Sequence, residues 1–160
     1  MSQAKQTKRV TPQEAKQKIY RYCAYQERSH KEVKEKLYAM HLYASEVDEL
    51  LTHLITEGFL NEERFARAYA GGKFRMKHWG RRKITHGLEA KGVSANCVRL
   101  ALQEIDDTDY MQTLRTLLQR KMEELHEPDA YIKRDRIARF AIQKGYESEL
   151  VWELVKGIKV

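Results

Sequence analysis

The chain carries a strongly basic segment near its middle, FRMKHWGRRKITHGLEAKGV (Phe74–Val93), in which Glu89 is the only acid. Closely spaced ammonium and guanidinium groups bind anions, because they pair with phosphate and carboxylate oxygens. The wider window from Arg64 to Arg99 holds these cations: Arg64, Arg67, Lys73, Arg75, Lys77, Arg81, Arg82, Lys83, Lys91 and Arg99. Since the window itself can neutralise few of them, the pattern favours a surface for an anionic partner over a solvated face with internal ion pairs.

Two residues within the basic segment allow more than one interpretation. Trp79 precedes a predicted helix, and a tryptophan in that position favours closing the core between helices over stacking on a base or anchoring an interface. Arg81 lies three positions before the apolar Ile84, so we expect its stem to border the core and its head to reach solvent. Arg82 and Lys83 are predicted to face a partner.

The sequence lacks the patterns of the common catalytic and metal sites. It contains no GxxxxGK[ST] phosphate loop and no recognisable Ser/His/Asp arrangement. The histidines do not have metal-ligand spacing; they are His30, His41, His53, His78, His86 and His126. We therefore expect no enzymatic activity, no metal and no cofactor.

Composition agrees with an anionic partner, because the net charge is +7 and the isoelectric point about 9.4.

Cys23 and Cys97 belong to no CxxC pair, so both are predicted to be core-facing residues in a reducing compartment. The N-terminus, MSQAKQTKRV, has no apolar signal region, and residues 1–10 are predicted to be a disordered basic tail. No apolar run approaches the ~20 residues that span a bilayer, so we expect a cytoplasmic protein without a membrane partner.

One helical pattern occurs three times along the chain. Aligning Val47, Val98 and Val151 superimposes apolar residues at i, i+3, i+4 and i+7, which is the spacing of one helix face. A second helix precedes each copy and is predicted to end near His41, Gly92 and Gly145. A first helix precedes each pair, over Ala15–Glu27, Glu62–Met76 and Tyr110–Leu125.

This repetition predicts an all-α fold of three tandem three-helix repeats that form an elongated, curved rod. The repeats are predicted to span 11–60, 61–107 and 108–160, and the second is the basic one. Thr11, Ser29 and Ser94 are predicted N-caps. Gly71-Gly72 lies inside a predicted helix and should cost roughly 1–2 kcal/mol there, which predicts a kink or an early helix end.

The residues around the basic segment resemble the middle-repeat signature of the RecX regulatory proteins. GFLNEERFARAYA (Gly58–Ala70) resembles G-[FL]-L-[ND]-[DE]-x-R-[FY]-A, and WGRRKITHGLEAKGV (Trp79–Val93) resembles W-G-x-x-[KR]-I-x-x-x-L-x-x-[KR]-G-[IV]. RSHKEVKEKL (Arg28–Leu37) and KRDRIARFAIQKGYESELV (Lys133–Val151) resemble parts of the first and third repeats. The resemblance extends over nearly the whole chain, and it departs from the family pattern at Met40-His41 and Gly71-Gly72.

The resemblance implies a modulator, usually an inhibitor, of the RecA recombinase. Such a protein lies in the groove of the RecA–DNA filament and suppresses ATPase, strand exchange and coprotease activity. The implied partners are the RecA filament and, more weakly, single-stranded or duplex DNA, and we expect a monomer. The residues expected to contact the filament or DNA are Lys73, Arg75, Lys77, Arg81, Arg82 and Lys83. The residues alone also allow a RecA-independent, sequence-nonspecific DNA-binding protein or a helical adaptor for an unrelated acidic protein.

Overall fold

The chain is helical throughout the part that the structure describes. The computed structural model describes residues 10–159, which hold nine helices and no strand. The helices are α1 (Pro12–Tyr25), α2 (His30–Ala39), α3 (Ala44–Thr56), α4 (Glu62–Lys77), α5 (Arg81–Ala90), α6 (Ala95–Leu102), α7 (Asp107–Glu124), α8 (Ala130–Gln143) and α9 (Ser148–Lys156). They follow one another as three three-helix groups, so the predicted all-α fold of three-helix repeats is confirmed. The curved shape of the rod stays a prediction, and residues 1–9 of the predicted tail lie outside the described residues.

Helix starts follow the predicted caps. The side-chain oxygen of Thr11 accepts from the backbone N–H of Glu14 at 3.2 Å, and that of Ser29 accepts from Glu32 at 3.0 Å. The Ser94 hydroxyl accepts in the same way from the third residue after it, at 3.3 Å. Each bond satisfies one of the amides that the first turn of a helix leaves without an intrahelical partner.

Helix ends were predicted correctly at the second helix of each group but not at the glycine pair. His41, Gly92 and Gly145 have φ of 61°, 74° and 103°, the left-handed conformation that stops a helix. Helix α4, however, continues through Gly71-Gly72 to Lys77, so the predicted early end is wrong. Phe74, one turn after the glycines, is buried, and such packing of a helix face outweighs the propensity cost of two glycines.

The described residues form two compact units, and the first contains the chain up to Phe65 together with Lys91–Val93. Its three helices α1, α2 and α3 all pack on one another. The core is aliphatic and includes Ile19, Leu37 and Leu54, all fully buried. Cys23 lies in this core, as predicted, and burial raises the pKa of its thiol to about 11.

The second unit contains Ala66–Ala90 and the chain from Ser94 onward. Within it α7, α8 and α9 all pack on one another, and α5 packs on α6. Three buried rings form a column: the centroids of Phe74 and Tyr110 lie 5.9 Å apart, and those of Tyr110 and Tyr146 lie 5.0 Å apart. None of the helices within residues 10–159 combines the length and apolarity needed to cross a bilayer.

Candidate anion-binding surface

Three lysines of the basic segment converge on one indole ring in the second unit. Lys73 and Lys77 lie one turn apart at the end of α4, and Lys83 lies in the first turn of α5. Their Nζ atoms lie 4.9, 6.0 and 4.6 Å from the centroid of the Trp79 ring. We refer to Lys73, Lys77 and Lys83 as the lysine cluster. Each cation–π contact contributes about 0.5–1 kcal/mol at an exposed site, which partly offsets the repulsion among three like charges.

Trp79 is half-buried, and its ring and cation–π contacts are internal ones with Tyr69 and the lysine cluster. Its ring meets the edge of the Tyr69 ring, with 6.5 Å between centroids, so one side of the indole packs inside the second unit. Three ammonium groups are therefore gathered within 6.0 Å of the centroid of one half-buried ring.

The positive charge of the lysine cluster is not balanced by acids in the described residues. None of the three lysines forms an ion pair within residues 10–159. Helix α5 begins with Arg81, Arg82 and Lys83 and has no acid in its first turn, although the dipole of a helix favours acids there. The positive end of the α5 dipole thus adds to the lysine charges, and no carboxylate within residues 10–159 pairs with the cluster.

Four of the ten cations in the basic window are neutralised within the protein instead. Arg67 pairs with Glu104 at 2.8 Å, Lys91 pairs with Glu32 at 2.6 Å, and the other paired cations are Arg64, with Glu27, and Arg81, with Asp107 and Glu147. All these acids lie outside the window in sequence. The window itself is poor in acids, but tertiary packing brings acids to it from segments that are distant in sequence.

Arg81 is held by a partly buried network rather than reaching freely into solvent. Its guanidinium carbon lies 3.9 Å from the centroid of the Tyr110 ring, and its Nη atoms pair with Asp107 at 2.7 Å and Glu147 at 3.3 Å. The backbone N–H of Arg81 donates to the Tyr110 hydroxyl at 3.1 Å, and that hydroxyl donates to Glu147 at 2.7 Å. Burial, followed by the hydrogen bond to Glu147, raises the pKa of Tyr110 well above its usual range, so the hydroxyl stays protonated.

Two glycine-containing turns meet beside this network. The backbone N–H of Gly80 donates to the Lys144 carbonyl at 2.8 Å, and that of Arg82 donates to the Gly145 carbonyl at 2.9 Å. A Cβ atom on Gly80 would lie 2.3 Å from the carbonyl carbon of Gly145, and one on Gly145 would lie 2.4 Å from Cβ of Lys83. No side chain fits at either position, because the two backbones are already in contact. This contact fixes the start of α5 and with it the base of Lys83.

The other half of the lysine cluster is fixed by the same loop. The Tyr146 hydroxyl donates to the carbonyl of His78 at 2.9 Å, and the Lys144 ammonium donates to the carbonyl of Lys77 at 3.1 Å. His78 has a φ of 56°, a conformation that these contacts support. Lys144 thus adds a fourth cation beside Lys77, and sequence reasoning missed it. The sequence signal at this point is the glycine at Gly145, which by itself predicts only the end of a helix.

The remaining predicted site residues, Arg75 and Arg82, are exposed and form no ion pair within residues 10–159. The Arg75 guanidinium lies over Gly71, where a Cβ atom would come 2.8 Å from Nη1. Arg82 lines a shallow depression together with Thr85 and His86. The six predicted residues therefore separate into three that meet at Trp79, two exposed arginines and one arginine held internally. In the described part of the chain, no group of three or more His, Cys, Asp or Glu side chains could hold a metal.

Two segments of the chain match models of known protein families. Residues 61–102 match the family model described as RecX, second three-helix domain, and residues 107–155 match RecX, third three-helix domain. Together the two matches cover more than half of the chain.

Similar proteins of known name and structure agree. A regulatory protein RecX of Clostridium perfringens (strain 13 / Type A) is 29% identical over 133 residues, 82% of this chain and 62% of that protein. A regulatory protein RecX of Clostridium botulinum (strain Eklund 17B / Type B) is 27% identical over 131 residues, which are 81% of this chain and 61% of that protein. The chain thus spans about 60% of the length of these curated relatives. The crystal structure of RecX from Lactobacillus salivarius superimposes with a TM-score of 0.83 at 20% identity, covering 91% of this chain and 95% of that one. The chain belongs to the RecX family.

Proposed function

We propose that the protein binds the RecA–DNA filament and inhibits RecA ATPase, strand exchange and coprotease activity. Family membership supports a regulatory role, and the observation that carries the contact site is the lysine cluster. Its ammonium groups pair with no carboxylate in the described part of the chain, and an internal network fixes the backbone on both sides of them. The site of action is the cytoplasm, where such filaments form, and the protein itself acts as a monomer.

The cluster suits a polyanionic groove for an energetic reason. Phosphates on nucleic acid carry condensed counterions, and each phosphate that a lysine neutralises releases them, which favours binding. Acidic side chains on a filament wall would attract the same lysines, although without the counterion release of a nucleic acid. Contacts by several repeats to successive RecA protomers would add through a high effective concentration, because the repeats are joined in one chain.

We expect Arg81 to position this site rather than contact the filament. Its guanidinium already binds two carboxylates and the Tyr110 ring. Reversing its charge would place a third acid against Asp107 and Glu147, and any loss of activity would then report misfolding. A test of the site must therefore spare Arg81 and change the lysines that form no ion pair within residues 10–159.

The test replaces Lys73, Lys77 and Lys83 together by glutamate and measures RecA ATPase on single-stranded DNA with added protein. We expect the unchanged protein to inhibit and the triple variant to lose both filament binding and inhibition. A matched control replaces Lys34, Arg115 and Lys156 by glutamate, because these exposed cations form no ion pair in the described residues and the change in net charge is the same. Equal inhibition by all three proteins, or equal loss in both variants, would refute the assignment of the site.

A RecA-independent, sequence-nonspecific DNA-binding protein is the second candidate, and the free charge of the cluster is what favours it. That candidate predicts tight binding to bare DNA at physiological salt without RecA. For three lysine–phosphate contacts to single-stranded DNA, the slope of log affinity against log salt should be about −2. Salt-sensitive binding to bare DNA together with an unchanged RecA ATPase rate would support this candidate against the proposed one.

A further inference from the structure

The first unit carries a second group of cations, built around tyrosines rather than a tryptophan. Helix α1 ends at Tyr25, whose side chain is 83% exposed. The guanidinium carbon of Arg28 lies 3.7 Å from the centroid of the Tyr22 ring and 5.9 Å from that of Tyr25. The Nζ atom of Lys36, on α2, lies 5.5 Å from the Tyr22 centroid. Tyr22, Tyr25, Arg28 and Lys36 form what we call the tyrosine–arginine patch.

Arg28 is held in a fixed orientation, while part of its hydrogen-bonding capacity remains unused. Its Nε donates to the carbonyl of Tyr22 at 3.0 Å, which satisfies an acceptor in the last turn of α1. The guanidinium is thereby held close to the Tyr22 ring. Its two Nη atoms have no hydrogen-bond partner within residues 10–159. A fixed guanidinium with two parallel donors is preorganised to bind a phosphate, because little side-chain entropy is left to lose.

The acids nearest to Arg28 in sequence are already used. Glu27 pairs with Arg64, and Glu32 pairs with Lys91 at 2.6 Å, both inside the first unit. The patch therefore keeps its positive charge. Two more exposed cations extend it along α1, because Lys18 lies four positions before Tyr22 and Arg21 lies four positions before Tyr25.

We propose that the tyrosine–arginine patch binds single-stranded nucleic acid, with a base stacked on Tyr25 and a phosphate held by the Nη atoms of Arg28. Charge complementarity selects a polyanion, and the exposed ring selects one whose base faces are accessible. A duplex offers phosphates but hides its base faces, and an acidic protein would use the cations without needing Tyr25. The proposal does not depend on the function proposed above, because it involves no RecA and none of the lysine cluster.

The experiment measures fluorescence anisotropy of a labelled oligothymidylate of about 15 nucleotides with the full chain, in the absence of RecA. A labelled duplex serves as the second probe. Replacing Tyr25 by alanine removes the stacked ring and leaves every charge in place. We expect it to weaken binding of the single strand at least about fivefold, the loss of one base–aromatic stack, and to leave duplex binding unchanged. Tyr25→Phe should retain the affinity, since a base needs only the ring.

Tyr131→Ala is the matched control, because Tyr131 is 81% exposed on α8 and forms no hydrogen bond, ring contact or cation–π contact in the described residues. It should bind the single strand as the unchanged protein does. Arg28→Lys keeps the charge but loses the two parallel donors, and it should also weaken single-strand binding. The proposal is overturned if Tyr25→Ala binds the single strand normally, if it weakens duplex binding equally, or if Tyr131→Ala shows the same loss. Failure of the unchanged protein to bind the oligonucleotide would overturn it too, whatever the protein does to RecA.

Discussion

Replacing Gly80 by alanine should destabilise the second unit strongly, because the added methyl group has no space. Its Cβ atom would lie 2.3 Å from the Gly145 carbonyl carbon and 2.3 Å from the Tyr146 nitrogen, both backbone atoms that cannot rotate away. The two turns would have to separate by about 1 Å to restore van der Waals contact. Such separation would break the bonds from Gly80 to Lys144 and from Arg82 to Gly145, now 2.8 and 2.9 Å long.

The magnitude follows from these losses. Overpacking costs about 1–3 kcal/mol, and each of the two backbone N–H groups left without a partner costs about 1–3 kcal/mol more. After partial relaxation we expect the free energy of unfolding to fall by roughly 3–5 kcal/mol. Urea unfolding followed by circular dichroism measures the free energy of unfolding. Gly72→Ala is the matched control, because a Cβ atom there would meet nothing within 4 Å and the position is inside α4. We expect Gly72→Ala to raise the free energy of unfolding by about 0.5–1 kcal/mol, since alanine is the better helix former.

The two glycines thus predict opposite signs for the same chemical change in one chain. A Gly80→Ala variant whose free energy of unfolding lies within about 1 kcal/mol of the unchanged protein would refute the backbone contact as the determinant. So would a Gly72→Ala variant that loses as much stability as Gly80→Ala.

Two further predictions concern buried hydroxyl and thiol groups. Tyr110→Phe keeps the ring under Arg81 but removes both hydrogen bonds of the hydroxyl, so the free energy of unfolding should fall by about 1–3 kcal/mol; equal urea midpoints for both proteins would contradict this. The pKa of Cys23 is raised by burial from 9.0 to about 11, so the unfolded chain loses this proton first as pH rises. The stability from Cys23 is therefore complete below pH 9 and lost between about pH 9 and 11, and Cys23→Ala should show a flatter decline of the urea midpoint across this range.

The sequence predicts the helices well because their determinants are local. Thr11 and Ser29 cap helices through bonds to the third residue beyond them, and Gly145 stops a helix through its own φ. Apolar periodicity likewise places Leu37 and Leu54 in the core without knowledge of which helix they meet. The exception is Gly71-Gly72, where burial of the flanking helix face outweighs a local cost.

The candidate site is less predictable because it depends on long-range contacts. Charge density alone located the basic segment, but the pairing of Arg67 with Glu104 and of Arg81 with Glu147 joins residues 37 and 66 positions apart. Lys73 and Lys77 lie one turn apart in α4, but the approach of Lys83 to the same indole depends on the turn at His78. Lys144 reaches the carbonyl of Lys77 only because two turns meet, and the pattern of a single helix cannot predict that contact.

The meeting of the two glycine turns has a consequence for how the molecule can be divided. A fragment ending before α7 would retain Lys73, Lys77, Lys83 and the indole between them, yet it would lack Lys144, Gly145 and Tyr146. Every charged group of the cluster would be present, but the scaffold that orients it would be gone. The repeats are therefore not interchangeable, because the C-terminal one supplies contacts that fix the backbone of the one before it. Removing it should weaken anion binding by the lysine cluster although all three lysines remain.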